Sequence, residues 1–452
     1  MPVVCFAARP APLALLGYGA RGEKQLHPTV PVKVQALMRP DFRGINTNAA
    51  FLWRGKKRKK MLRYMTAGES HGKGLVIIID GVPSGLKFDV SCINPVLAER
   101  QKGYGRGGRQ KIETDSADII SGVRFGRTTG APVSVMIKNR DFENWKKILS
   151  VSEISGAVGE FNVPRPGHAD LSGGVKYAHH DFRNVLERAS ARETAARVVS
   201  GACAKAILKE IGIDVFGYVI NIAGVLTDDD TRMGIDAVKK RISELDKKHG
   251  ANLRFPGENE IPVIIRKIKA AVEEGETLGG VVKVITSPLP MGLGDYTQWD
   301  KKLDAMIARS LMSIQAIKGV EFGLGFACAG TPGSKFHDSI QYSAKKGFYR
   351  ASNNAGGMEG GMSDGEPLIV KAAMKPISTV RKGIDSVNAR SKKRVKTVYE
   401  RSDICAVPAA AIVAEAAVAY ELANAALTKF GGDTVAEFKL NHNNYIKYVK
   451  NF

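Results

Sequence analysis

The sequence predicts an α+β fold in one large domain, and three observations predict it. Strand-like and helix-like runs are mixed between residues 62 and 428 without the regular alternation of a βαβ chain. With 452 residues and 44% hydrophobic content the chain can bury a large core. From Met61 onward no low-complexity linker and no internal repeat divides it.

The strands are expected at 62–66, 74–80, 132–138, 213–223, 281–286, 319–327 and 367–373. The first is signalled by the alternation in Leu62-Arg63-Tyr64-Met65. The second is signalled by the β-branched run Leu75-Val76-Ile77-Ile78-Ile79, which ends at the turn Asp80-Gly81 and reads as a buried strand. Helices are expected at 91–102, capped by Ser91, and at 184–211, 233–248, 259–274, 299–316 and 409–428. The helix from 184 meets Gly212 and the last meets Gly431-Gly432, glycines suited to left-handed helix ends. The Ala-rich segment 409–426 carries Glu415 and Glu421, which fits a buried helix of a water-soluble fold better than a bilayer span, so no membrane role is expected.

Residues 1–60 differ from this body. They contain no serine and contribute +10 of the formal net charge of +22, ending in Lys56-Lys57-Arg58-Lys59-Lys60. Three readings stand side by side: an Arg-rich transit peptide, a basic tail or nuclear signal, or a segment that is not translated, with Met61 as the true start. Intact mass of the native protein separates them. The five cysteines (Cys5, Cys92, Cys203, Cys328, Cys405) are scattered, without CxxC or a nearby Cys/His set, so neither a metal site nor a disulfide framework is expected. A reducing, cytoplasmic setting follows, or a plastid or other organelle if the leader is a transit peptide.

Several stretches invite a chemical reading. Gly68-Glu69-Ser70-His71-Gly72 fits the GxSxG of a hydrolase elbow, yet that elbow needs a helix directly after the serine, and a strand follows here. Gly72-Lys73 does not complete a P-loop, because Gly74 stands where Ser or Thr must bind magnesium. Gly103-Tyr104-Gly105-Arg106-Gly107-Gly108 satisfies GxGxxG but follows a helix instead of a strand. It is better read as a flexible loop carrying Arg100, Arg106 and Arg109, whose guanidinium forks suit carboxylate or phosphate. Arg165 and His168 stand in a stiff Pro-Gly turn before Asp170. Arg188 and Arg192, four apart in the expected helix, would share a face and flank an anion. Asp403, just before the last helix, is either an acid of the site or a plain N-cap.

Many arginines, two loop histidines and a carboxylate suit a small, multiply anionic ligand and proton transfer near neutral pH. The alternative is a basic RNA-binding protein that uses the Gly/Arg loop. That reading needs aromatics for stacking, but aromatics are only 7% and Tyr104 alone interrupts the loop. No nucleic-acid partner is therefore expected.

At this point the chain resembles the chorismate synthase family across almost all of 61–452. The resemblance is carried by AGESHG at 67–72, RQKGYGRGGR at 100–109, RPGHAD at 165–170 and RNVLERASARETAARV at 183–198. It continues in SIQAIKGVEFG at 313–323, SNNAGGMEGG at 352–361, MKPIST at 374–379 and RSDICAVPA at 401–409. It implies a β-α-β sandwich core and a homotetramer. It also implies a lyase of aromatic amino acid biosynthesis, acting at the last step of the shikimate pathway. The implied reaction converts 5-enolpyruvylshikimate 3-phosphate to chorismate by anti-1,4-elimination of phosphate. Reduced FMN is required although the reaction has no net redox change, and NADPH serves some members as reductant. The resemblance places Ser70, Arg100, Arg106, Arg165 and Arg192 at the substrate. It places Arg188, Ser190, Ala191, Gln315, Ala316, Gly360, Met374, Lys375, Thr379 and Arg401 at the flavin. His71 would be the general acid toward the departing phosphate, His168 would sit against the flavin ring, and Asp403 would help remove the ring proton by way of flavin N5. No metal is implied.

Overall fold

The computed structural model describes residues 61–107, 114–156, 158–227, 233–400 and 402–452. The leader 1–60 and Arg109 lie outside the described residues. Two antiparallel sheets enclose a layer of helices. The first sheet holds β1 (Arg63–Ala67), β2 (Gly74–Asp80), β3 (Ala117–Ser121) and β4 (Val133–Lys138), in the order β1-β2-β4-β3. The second holds β5 (Val215–Ile222), β6 (Val225–Leu226), β7 (Gly280–Pro288), β8 (Ile317–Phe322) and β9 (Pro367–Met374), in the order β8-β9-β7-β5-β6. The helices are α1 (Val90–Gln101), α2 (Asp170–Tyr177), α3 (Arg183–Ala189), α4 (Thr194–Lys209), α5 (Ile235–His249), α6 (Ile261–Glu274), α7 (Leu303–Met312), α8 (Val407–Phe430) and α9 (Val435–Lys450).

The middle layer follows from composition. α8 is apolar on every side, and a helix with no polar face must be buried all round. It packs on α4, α1 and α7 and lies across β5 and β7, while α4 reaches β2 of the other sheet. The contact with α4 is close because Gly201 has no side chain: a Cβ there would stand 2.2 Å from that of Ala416. α8 has the length and hydropathy of a bilayer span, but 78% of that window is buried within the fold. Its acids are buried too. Glu415 accepts from Gly217 N and Arg254 Nη2, both at 2.9 Å, and burial pushes the Glu421 carboxyl up to about 7.

Both sheets turn alternate residues inward. In β2, Leu75, Ile77 and Ile79 are buried, each contributing roughly 1.5–3 kcal/mol. Ile78 is 45% exposed, so the expected buried strand is covered on one face.

The structure moves several other boundaries. Asp89, not Ser91, caps α1, accepting from Ser91 N at 2.7 Å. The run 319–327 leaves strand geometry after Phe322, and the helix expected at 299–316 narrows to a 3₁₀ turn, Trp299–Lys301, followed by α7. A further helix, α9, follows the Gly431-Gly432 stop, opened by a capping box between Thr434 and Glu437. The long helix expected at 184–211 is broken at Ser190, whose ψ of 141° is extended; a 3₁₀ turn, Ala191–Glu193, precedes α4. Arg188 and Arg192 therefore do not share a helical face.

Candidate active site

One cavity of about 1090 Å³ collects most of the residues singled out from the sequence. Segments far apart along the chain line it. They are the β1–β2 turn, the Gly/Arg loop after α1, the single helical turn Phe142–Trp145, the turn 165–169, the break between α3 and α4, residues 314–316, the exit of β9 and the entry to α8.

The β1–β2 turn presents Ser70 and His71. Gly68 makes the turn, at φ 108°, where a Cβ would collide with Gly74 O at 2.3 Å. Ser70 N donates to Glu187 O at 3.0 Å, and Ser190 Oγ donates to Ser70 Oγ at 3.1 Å. His71 N donates to Glu187 Oε2 at 2.7 Å, while the ring nitrogen Nδ1 lies 2.9 and 3.1 Å from the two carboxylate oxygens of the same residue. Trp145 stacks on the imidazole with ring centres 4.0 Å apart. Ser70 thus sits in a hairpin turn, not on a strand-to-helix elbow.

The arginines are buried and paired. Asp115, which is inaccessible to solvent, lies between two of them: Arg192 Nη1 at 2.7 Å and Arg100 Nη1 at 3.6 Å. Arg100 also donates to Thr194 Oγ1 and Ala191 O, both at 3.0 Å; burial and then the Arg192 charge lower its guanidinium to about 9, still cationic at neutral pH. Arg192 grips Asn139 Oδ1 with Nε and Nη2, and Asn139 Nδ2 donates to Glu69 O and Gly72 O. The arginine is thereby tied to the turn that carries His71. Two guanidiniums thus share one buried carboxylate, an arrangement that concentrates cationic donors at one end of the cavity.

Arg106 lies 3.3 Å from Asp403 Oδ2, and Asp403 Oδ1 accepts from Gly107 N at 2.7 Å. Asp403 is therefore not the N-cap of α8, a place taken by Ala406. The side chains of Arg100 and Arg106 are only 6% and 8% exposed, so these two arginines, among the described residues, do not form the basic surface stripe that RNA would need.

Across the cavity, Arg165 binds the fully buried Asp170 through Nε at 2.8 Å and Nη2 at 3.1 Å, and donates from Nη1 to Thr379 Oγ1 at 3.0 Å. His168 Nδ1 lies 2.6 Å from Asp170 Oδ1. Burial works to raise the Asp170 carboxyl, but hydrogen bonds from His168 and Arg165 and the Arg165 charge hold it well below the usual carboxylate range. Arg165 is thus neutralised from within the protein.

The remaining wall is mostly apolar: Ile314, Ala316, Met374, Ile377, Ala409 and Val413. Set into it are Lys375, whose ammonium is lowered by burial and by Lys318, and Gln315, whose buried Oε1 has no hydrogen-bond partner among the described residues. Ser190, Ala191 and Thr379 also line the cavity, whereas Arg188 and Gly360 do not. Arg188 is exposed and donates to Thr66 O and Oγ1 and to Gly68 O. Gly360 is the exposed tip of a short hairpin. Arg401 lies outside the described residues.

Asp115, Asn139, Trp145, Glu187 and Thr194 escaped the sequence reading. Only Glu187 left a local signal, its i,i+4 spacing to Arg183.

The chorismate synthase family profile matches residues 62–427. A chorismate synthase of Geobacter sulfurreducens is 51% identical over 401 residues, covering 87% of this chain and all of that protein. One of Caldanaerobacter subterraneus subsp. tengcongensis is 49% identical over 393 residues, covering 86% and all of it. A chorismate synthase crystal structure superposes with a TM-score of 0.70 at 41% identity, covering 87% of this chain and 99% of that one. Likeness of this extent reaches through both sheets, the helical layer and every segment that lines the cavity, and on it the chain belongs to the chorismate synthase family.

Proposed function

We propose that this enzyme, a lyase by its family, converts 5-enolpyruvylshikimate 3-phosphate to chorismate by anti-1,4-elimination of phosphate, with reduced FMN bound in the same cavity. The observation that carries the proposal is the cavity itself, where the Arg100/Arg192 pair shares one carboxylate opposite an apolar wall. The substrate has two carboxylates and a phosphate, and several cations are needed to hold it in a dry site.

The wall fits a flavin. Ile314, Ala316, Met374 and Ile377 offer apolar contact to a flat ring, the orphaned Gln315 Oε1 awaits a donor, and Lys375 suits a phosphate or ring anion. Ser190, Ala191 and Thr379 complete that set. Reduced FMN, when bound, supplies electron density that is returned within each turnover.

The protein's own groups do the rest. Arg100, Arg106, Arg192 and Ser70 hold the substrate anions. His71, with Nδ1 committed to Glu187, donates from Nε2 to the departing phosphate oxygen. His168, fixed by Asp170, faces the flavin, and Asp403 takes up the proton that leaves the substrate ring. A homotetramer and NADPH as reductant accompany this proposal as features of the family resemblance.

Anaerobic incubation with the substrate and photoreduced FMN should release phosphate and chorismate in equal amounts. Turnover with oxidised FMN alone would overturn the proposal.

A further inference from the structure

We infer that Glu187 is the positioning residue of the site: it fixes the tautomer and orientation of His71, so that Nε2 is the ring nitrogen offered to the ligand. The inference rests on the proposed elimination for its catalytic consequence, though not for its geometry.

Glu187 does not line the cavity, so it acts on a ligand only through another group. Its side chain is 1% exposed, and leaving a carboxylate there without partners would cost several kcal/mol. The residue holds the His71 turn in three ways. Its main-chain oxygen accepts from Ser70 N, its Oε2 accepts from His71 N, and both carboxylate oxygens lie within 3.1 Å of His71 Nδ1. An ionised carboxylate can only accept, so Nδ1 carries a hydrogen in both states of the ring: the protonated ring has its second proton on Nε2 to donate, and the neutral ring left behind keeps its lone pair there.

Two neighbours restrict the alternatives. Trp145 covers one face of the imidazole, and its Nε1 is anchored on Asp141 Oδ2 at 3.2 Å. Arg183, the other charged group beside Glu187, stands off at 3.7 Å, spends Nη2 on Glu400 at 3.1 Å and lies over the rings of Trp145 and Phe161. A carboxylate placed chiefly to pair with Arg183 would approach the guanidinium more closely than the histidine. Here the order is reversed.

The test uses the full chain labelled with ¹⁵N-histidine, compared with Glu187→Gln and Glu187→Ala. Long-range ¹H–¹⁵N correlation of the neutral His71 ring should show the proton on Nδ1 in the parent protein and a shift toward Nε2–H in Glu187→Ala. Glu187→Gln, which keeps one acceptor oxygen and the side-chain volume, should hold the tautomer if its fold is kept. In turnover, Glu187→Ala should lose on the order of a hundredfold or more in kcat with KM little changed, as when an orienting carboxylate is removed behind a catalytic histidine. Glu187→Gln should fall between it and the parent. An Nε2–H ring in the parent, an unchanged tautomer in Glu187→Ala, or a raised KM at constant kcat would overturn the inference. The nitrogen measurement needs no turnover, so a parent protein inactive on the substrate would sink the elimination proposal and leave this one to be decided by the ring.

Discussion

Two histidines line the cavity, and the two are built differently. Each sets Nδ1 against a buried carboxylate, 2.9 Å to Glu187 at His71 and 2.6 Å to Asp170 at His168. At His168 the carboxylate is shared, since Arg165 also grips it through two nitrogens. At the His71 end, Arg183 stands 3.7 Å from Glu187, and the carboxylate makes its closer contacts with the ring and main chain of His71. The same residue types thus build two devices. In the proposed reaction the first, at His71, is the proton donor's mount, and the second, a triad of Arg165, Asp170 and His168, is the mount for contact with the cofactor.

The largest effects should come from removing the rings themselves. His71→Ala and His168→Ala should each lose on the order of a hundredfold or more in turnover, the span of a lost acid–base group. What separates the two is flavin retention. His168→Ala should weaken reduced-FMN binding, measured by anaerobic titration, while His71→Ala should leave it near the parent value. Equal weakening in both would erase the distinction drawn here.

Next comes the carboxylate at the His168 end. Asp170→Asn should cost about 3–5 kcal/mol of folding stability in denaturant titrations, because it leaves Arg165 buried without its counter-charge and turns an amide N–H toward a donor. The sign with pH follows from the lowered Asp170 carboxyl. Its contribution is fully present above the unfolded value near 3.9, and is lost as pH falls through the folded value below that. The parent protein should therefore lose stability on acidification below about pH 4, and Asp170→Asn should show a flatter acid limb. An unchanged acid limb would mean that Asp170 carries no linked charge.

These contrasts also mark what could be read from the chain alone. The arginines were legible because cations beside glycines and small residues are conspicuous in sequence, and β2 was legible because five apolar residues run together. The break at Ser190 was not. Alanines on both sides favour helix, but Ser190 Oγ accepts from Arg192 N at 3.3 Å, capping the next turn, and donates to Ser70 Oγ at 3.1 Å. Asp115 and Asn139 were equally hidden. A buried carboxylate or amide is defined by partners tens of residues away, here Arg192 in both cases. Helix ends near Gly212 and Phe430 were visible because glycine marks them, yet nothing in that punctuation announced that another helix follows.

The smallest expected change concerns Ser70, the residue that first suggested a hydrolase. Its hydroxyl meets Ser190 Oγ at 3.1 Å, and the turn around it is held by backbone contacts that alanine would keep: Ser70 N to Glu187 O, and the Asn139 amide to Glu69 O and Gly72 O. Ser70→Ala should therefore fold normally and lose one hydroxyl contact to an anionic ligand, about 1.5–2 kcal/mol, or roughly ten- to thirtyfold in kcat/KM. A nucleophile would behave otherwise, since its removal abolishes the covalent route and costs several orders of magnitude. Steady-state kinetics of Ser70→Ala beside His71→Ala thus compares neighbouring residues on one turn. If the serine variant were the more damaged of the two, the proton donor would have to be sought away from His71, and the difference between the two histidines would lose its chemical meaning.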